Sequence, residues 1–182
     1  MHLISIFTDS FHELKKNRTI TVVAMLMAIA IVLGSFSIVI GDYIKISFAF
    51  IANELTGMLF GPVVGGIMAG LTDILKYIMK PTGPFFFGFT LSAILGGLIY
   101  GIILYKKPVS LIRILIAKII VMLFINLFLN TIWLSILYGQ AFSILFSARL
   151  IKELIMLPIE TALLFTTATA ISRVPFIKEI TS

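Results

Sequence analysis

The sequence predicts an all-α integral membrane protein of six transmembrane helices with both termini cytoplasmic, and three observations predict it. Apolar residues make up 60% of the chain and charged ones only 12%, too few polar side chains to clothe a soluble domain. The apolar residues gather in runs that approach or exceed the ~20 residues needed to cross hydrocarbon, at 20–40, 85–105 and 119–137. The basic residues flank these runs instead of forming a stripe. The net charge of +6 therefore reads as topology and lipid-headgroup contact, and no nucleic-acid partner is expected.

Residues 1–19 form the first element. Leu3, Ile4, Phe7, Phe11 and Leu14 recur at near-helical spacing ahead of Lys15, Lys16 and Arg18, the pattern of an amphipathic helix lying on lipid. Ser10 followed by Glu13 has the spacing of a capping box. Span one, 20–40, carries Ala24 and Ala28 four apart on one face, where a second helix can approach closely. Gly41, Asp42, Tyr43 and Lys45 make the first polar break.

Residues 46–79 are too long for one crossing, because a straight helix would run about 51 Å against a core of about 30 Å. Gly61-Pro62 lies in the middle and predicts a turn between spans 46–60 and 63–79. Charge parity agrees with that division. With six spans the N-terminal cluster, Lys106, Lys107, Arg113, Arg173 and Lys178 all face the cytoplasm. Gly57, Gly61, Gly65, Gly66 and Gly70 give the hairpin small faces for tight packing. Asp73, Lys76, Tyr77 and Lys80 bring polar groups to its outer end, where Asp73 can pair with Lys76 or Tyr77 one turn away.

Pro81, Gly83 and Pro84 then break the helix, and an aromatic run, Phe85, Phe86, Phe87 and Phe89, feeds into span four, 85–105. Gly96, Gly97 and Gly101 are packing positions on that span. Span five, 111–137, places Asn126, Asn130 and Trp133 at i, i+4 and i+7, a stripe expected to face protein or a cavity. Tyr138 opens the last outer loop. Span six, 148–172, holds Arg149, Lys152, Glu153 and Glu160; Arg149 and Glu153 are an i, i+4 pair, and Glu160 needs a partner. The whole, 1–182, reads as a single membrane domain.

The chemistry of catalysis is missing. There is no phosphate-binding glycine-lysine loop, no nucleophile elbow and no paired histidine ligands, His2 and His12 both lying near the start. Cysteine is absent, which removes thiolate metal sites and cysteine nucleophiles. Acidic residues are scattered among the spans without an evident proton relay. Neither an enzyme nor a metal site is expected.

Three segments, PTGPFFFGFTLSAILGGLIYG, LNTIWLSILYG and RLIKELIMLPIE, resemble the folate-specific substrate-binding components of energy-coupling factor transporters. The resemblance runs from span one to span six and is most specific in GFTLSA and NTIWL. It implies six membrane helices in the bacterial cytoplasmic membrane, a substrate cavity open outward, and docking to a shared membrane scaffold plus two ATPases. ATP is then used by the partners, and the chain itself needs no cofactor. The family's Ala-xxx-Ala element, which meets the scaffold, matches Ala24 and Ala28.

A folate-like ligand suits the outer residues. Its flat rings need stacking surfaces, from Phe85, Phe86, Phe87, Phe89, Trp133 and Tyr138, and Tyr77 is a further residue expected at the substrate. Its ring edge needs polar partners, from Asn126, Asn130 or Asp73, and its anionic tail needs Arg149, Lys152 or Lys80. The charge complement does not discriminate among anionic aromatic vitamins. A component for riboflavin or thiamin stays open on residues alone, as does a small non-transport membrane protein bound to lipid.

Overall fold

The computed structural model describes residues 3–36, 38–40, 44–81 and 83–174. Helix α1 (Leu3–Glu13) leads into α2 (Asn17–Ser35), followed by two short strands, β1 (Ile38–Ile40) and β2 (Ile44–Ile46). Then come α3 (Phe50–Met79), α4 (Phe87–Leu104) and α5 (Leu111–Ile120), a π-helical segment (Val121–Leu129), α6 (Asn130–Tyr138) and α7 (Phe142–Ser172). Among the described residues five helical stretches are long and apolar enough to cross a membrane, with α5, the π segment and α6 forming one of them.

The strands correct the expected ends of spans one and two. Ile38 pairs with Ile46, Val39 with Lys45 and Ile40 with Ile44 in an antiparallel ladder. β-Branched residues on both sides of a polar break favour extended pairing over helix, so α2 stops at Ser35 and α3 starts only at Phe50. Gly41, Asp42, Tyr43 and Lys178 lie outside the described residues, as does the side chain of Lys45.

The turn expected at Gly61-Pro62 is a sharp reversal. Gly61 takes φ 88° and ψ −176°, a left-handed conformation that a β-carbon disfavours. Pro62 then opens the second limb of α3, where its missing N–H costs nothing. The two limbs fold back on each other so closely that a β-carbon at Gly65 would lie 2.7 Å from Gly57 Cα. In a straight helix those residues would be about 12 Å apart.

Ser10 holds this bend from another helix. Its hydroxyl donates to Phe60 O at 2.7 Å and accepts from Val63 N and Val64 N at 3.0 and 3.3 Å. It thus satisfies the backbone groups that a helix break leaves open. The capping-box reading of Ser10 with Glu13 is corrected accordingly. Glu13 instead accepts from Thr19 and Lys16, both at 2.9 Å, which fixes the step from α1 to α2. Lys106 reaches Asp9 at 2.9 Å and ties the far end of α4 to the same corner. Ser10→Ala should lower stability by about 1–2 kcal/mol, read as a lower unfolding midpoint in detergent with folding otherwise preserved.

Limbs of α3 and helix α4 pack backbone to backbone. A β-carbon at Gly57 would sit 3.1 Å from Gly97 O and from Gly101 N. Leu55, Met58, Tyr100, Leu104, Ile114, Ala117, Ile125, Leu164 and Ala168 build the main core from α3, α4, α5, the π segment and α7. Helix α2 lies against this block through Leu26, Met27 and Ala30, which meet Ala49, Ala52 and Met68. Its other face, with Ala24, Met25, Ala28, Ile29 and Val32, is exposed.

Candidate functional site

A cavity of about 470 Å³ opens at the end of the bundle away from α1. Its size falls in the range of small-molecule sites. The end of α2, both ends of α3, the start of α4, the π segment with α6, and α7 supply its walls. The loop between α3 and α4 folds over it because Pro81 and Pro84 deny it helix, and Gly83 takes a left-handed φ of 83°. Aromatic side chains face one another there. Tyr77 and Phe85 have ring centroids 5.0 Å apart, and Phe86 lies 6.0 Å from Phe89 edge-on. Lys80 donates to Ser35 O at 2.9 Å and binds the rim of α3 to the end of α2.

The polar wall is cross-linked. Thr90 donates to Asp73 at 2.9 Å, so Asp73 has a partner on α4, a neighbouring helix. Asn126 donates to Glu153 at 3.1 Å, and Lys152 pairs with Glu153 at 2.9 Å. Arg149 donates through Nε to Asn126 O at 3.2 Å, and the carboxylate of Glu153, one turn on, also acts on its charge. Arg149 and Lys152 are thereby held at the cavity by a lattice of hydrogen bonds.

Nine of the eleven residues expected at the substrate line this cavity: Asp73, Tyr77, Phe86, Phe89, Asn126, Asn130, Tyr138, Arg149 and Lys152. Two do not. Phe87 points outward with 64% of its surface exposed. Trp133 sits behind the wall, its ring 5.7 Å from Phe86 and its Nε1 donating to Ser92 at 3.1 Å. The stripe therefore faces the cavity at Asn126 and Asn130 and protein at Trp133; Val121–Leu129 is π-helical, and its i→i+5 turns shift the phase between Asn126 and Trp133.

Beside the cavity lies a second, smaller pocket of about 260 Å³. The two share Phe50, Asn53, Asp73, Phe89, Asn126 and Asn130, so they adjoin each other. Glu54, Tyr100 and Gly96 line this second pocket and not the first. Behind Glu54 is a buried charge cluster that sequence reasoning missed. Lys118 reaches Glu54 Oε1 and Glu160 Oε2, each at 2.8 Å, with its side chain only 2% exposed. Its ammonium also lies 4.2 Å from the ring of Phe50. Glu160, which needed a partner, has it here. The signal was present in the sequence as one base and two acids deep inside apolar spans, where an unpaired charge is expensive.

No group of three or more potential metal ligands occurs among the described residues. Stacking surfaces, amides and fixed cations surround the cavity.

Residues 18–168 match the family model described as ECF transporter, substrate-specific component. The chain is 38% identical over 167 residues to the folate transporter FolT of Clostridium novyi, spanning 92% of this chain and 97% of that protein. It is 33% identical over 152 residues to FolT of Leuconostoc mesenteroides, covering 80% of this chain and 82% of the relative. A crystal structure of FolT bound with folic acid superposes with a TM-score of 0.79 at 34% identity, over 85% of this chain and 95% of the other.

Proposed function

The chain belongs to the substrate-specific components of ECF transporters, and from that premise we propose that its outer cavity captures folate for delivery into the cell. It is a multi-pass protein of the cytoplasmic membrane. The observation that carries the substrate is the cavity of about 470 Å³, walled by Tyr77, Phe85, Phe86 and Phe89 and ringed by Lys76, Lys80, Arg149 and Lys152. Flat rings stack on the first group, and a dicarboxylate tail meets the second. Asp73, Asn126, Asn130 and Tyr138 offer hydrogen-bonding groups between them.

The reversal at Gly61 supports six crossings with both termini on the cytoplasmic side, since each limb of α3 then returns across the bundle. The transport step belongs to partners: a shared membrane scaffold and two ATPases that use ATP. The chain acts as receptor and not as enzyme. The exposed face of α2 around Ala24 and Ala28 is where a scaffold helix packs, small residues allowing backbone approach.

Titration of the purified protein tests the substrate. Trp133 is the sole tryptophan and touches the cavity wall through Phe86, so its fluorescence reports occupancy. Folic acid should saturate the signal at one molecule per chain, with riboflavin and thiamin far weaker. Tighter binding of either competitor would replace folate as the substrate. Exchanging Ala24 and Ala28 together for tryptophan should leave this titration unchanged while abolishing cellular uptake and co-purification of the scaffold. Uptake that survives would remove α2 from the interface.

A further inference from the structure

We propose that Glu153 is a positioning residue for substrate capture: from behind the cavity wall it fixes the direction of two amides, Asn126 and Asn130, so that Asn130 presents an acceptor to the ligand. The inference rests on the reading of the outer cavity as the substrate site, and adds to it a residue that does not touch the substrate.

Glu153 is set apart by its place. It is only 4% exposed and is not among the residues lining either cavity, whereas Asn126, Asn130, Arg149 and Lys152 all line the larger one. A carboxylate kept merely as counter-ion to Lys152 would do better near water, because burial strips a charge of its hydration. Glu153 is buried and turns both oxygens to the wall. Oε1 accepts from Lys152 Nζ at 2.9 Å, and Oε2 accepts from Asn126 Nδ2 at 3.1 Å.

The direction of the relay follows from which groups donate and which accept. An ionised carboxylate only accepts, so Asn126 must turn its amino group toward Glu153 and its carbonyl away. That carbonyl, Oδ1, accepts from Asn130 Nδ2 at 3.5 Å. Asn130 is then left with Oδ1, a buried oxygen without a hydrogen-bond partner. Buried polar atoms are nearly always paired, so a donor is due there from the ligand. A neutral amide in place of Glu153 donates as well as accepts, and would let both asparagines turn over.

The main chain tightens the same constraint. Arg149, one turn before Glu153 on α7, donates through Nε to Asn126 O at 3.2 Å. The π segment that carries Asn126 is therefore held to α7 at two points, one on its backbone and one on its side chain.

The test uses the full-length protein in detergent, folic acid as the probe, and three variants: Glu153→Gln, Asn126→Asp and the two combined. Tryptophan fluorescence reads the Kd, and thermal unfolding separately reads the midpoint. Glu153→Gln should weaken folic acid by ~10–100-fold, the weight of one or two buried hydrogen bonds. Asn126→Asp sets two carboxylates face to face and should weaken it at least as much. The combined variant exchanges carboxylate and amide. The glutamine at 153 can accept from Lys152 and donate to the aspartate at 126, which still accepts from Asn130. Affinity should return to within about 5-fold of wild type, a large departure from additivity. A merely structural Glu153 would move the midpoint and leave the Kd of the folded protein unchanged. That result, or losses that simply add in the combined variant, would overturn the relay. Wild type that does not bind folic acid would overturn the substrate reading instead. If a single variant does not fold, the combined one decides alone: a Kd near that of wild type upholds the relay, and a loss of ~10-fold or more overturns it.

Discussion

Replacing Lys118 with methionine should cost about 3–5 kcal/mol of stability, the effect of removing one partner from a buried charge group. Two carboxylates would be left facing each other across the gap that one ammonium now fills, since Glu54 Oε1 and Glu160 Oε2 both lie 2.8 Å from it. The Phe50 ring, 4.2 Å from that ammonium, would lose a cation–π contact as well. The readout is the unfolding midpoint in detergent. A triple variant in which Glu54→Gln and Glu160→Gln accompany Lys118→Met should recover most of the loss, because the neutral amides no longer need a cation. A single variant as stable as wild type would mean that water, and not Lys118, compensates the two acids.

Gly101→Ala should cost about 3 kcal/mol, the upper range for forcing atoms into a packed interior. The added β-carbon would fall on Pro62 Cα and N, and 2.6 Å from Gly61 C. These are backbone atoms at the bend of α3, so no side chain can swing aside. Helix α4 must move away from both limbs of α3, and the cavity walls on those elements move with it. Gly96→Ala is the internal control. Its β-carbon meets nothing within 4 Å, so only the gain in helix propensity of about 0.8–1 kcal/mol over glycine remains, and stability should hold or rise. Equal losses at the two positions would show that helix propensity, and not contact, governs α4.

The bend at Gly61 was legible because length alone forced it: residues 46–79 cannot cross once, and a glycine-proline pair marked where they turn. The aromatic loop and the cations of α7 were legible for a similar reason, being types that apolar helices otherwise avoid. What escaped was whatever depends on a partner from another helix. Ser10 has the spacing of a local cap, yet its hydrogen bonds go to Phe60, Val63 and Val64. Asp73 had two candidates one turn away and is bonded to Thr90 of α4. Trp133 fits the stripe only if the helix is α throughout, and no residue pattern announced the π segment before it. Strand Ile38–Ile40 falls within span one because its apolar run joins the helix before it, and Ile44–Ile46 straddles the polar break at Lys45 and the start of span two at Ile46.

The hold of Ser10 on the Gly61 bend also sets an order in time. Ser10 and Phe60 are 50 residues apart in sequence, with all of α2 and both strands between them. At about 5–20 residues per second of synthesis, the bend leaves the ribosome roughly 3–10 s after the helix that clasps it. Throughout that interval α1 has its link to α2 through Glu13 and Thr19 but not its seat on α3, and lipid covers the apolar residues that later pack there. The first helix made is thus the last of the three to be emplaced. Its docking certifies that the hairpin behind it has closed, because only a finished turn presents Phe60 O and the Val63 and Val64 amides together.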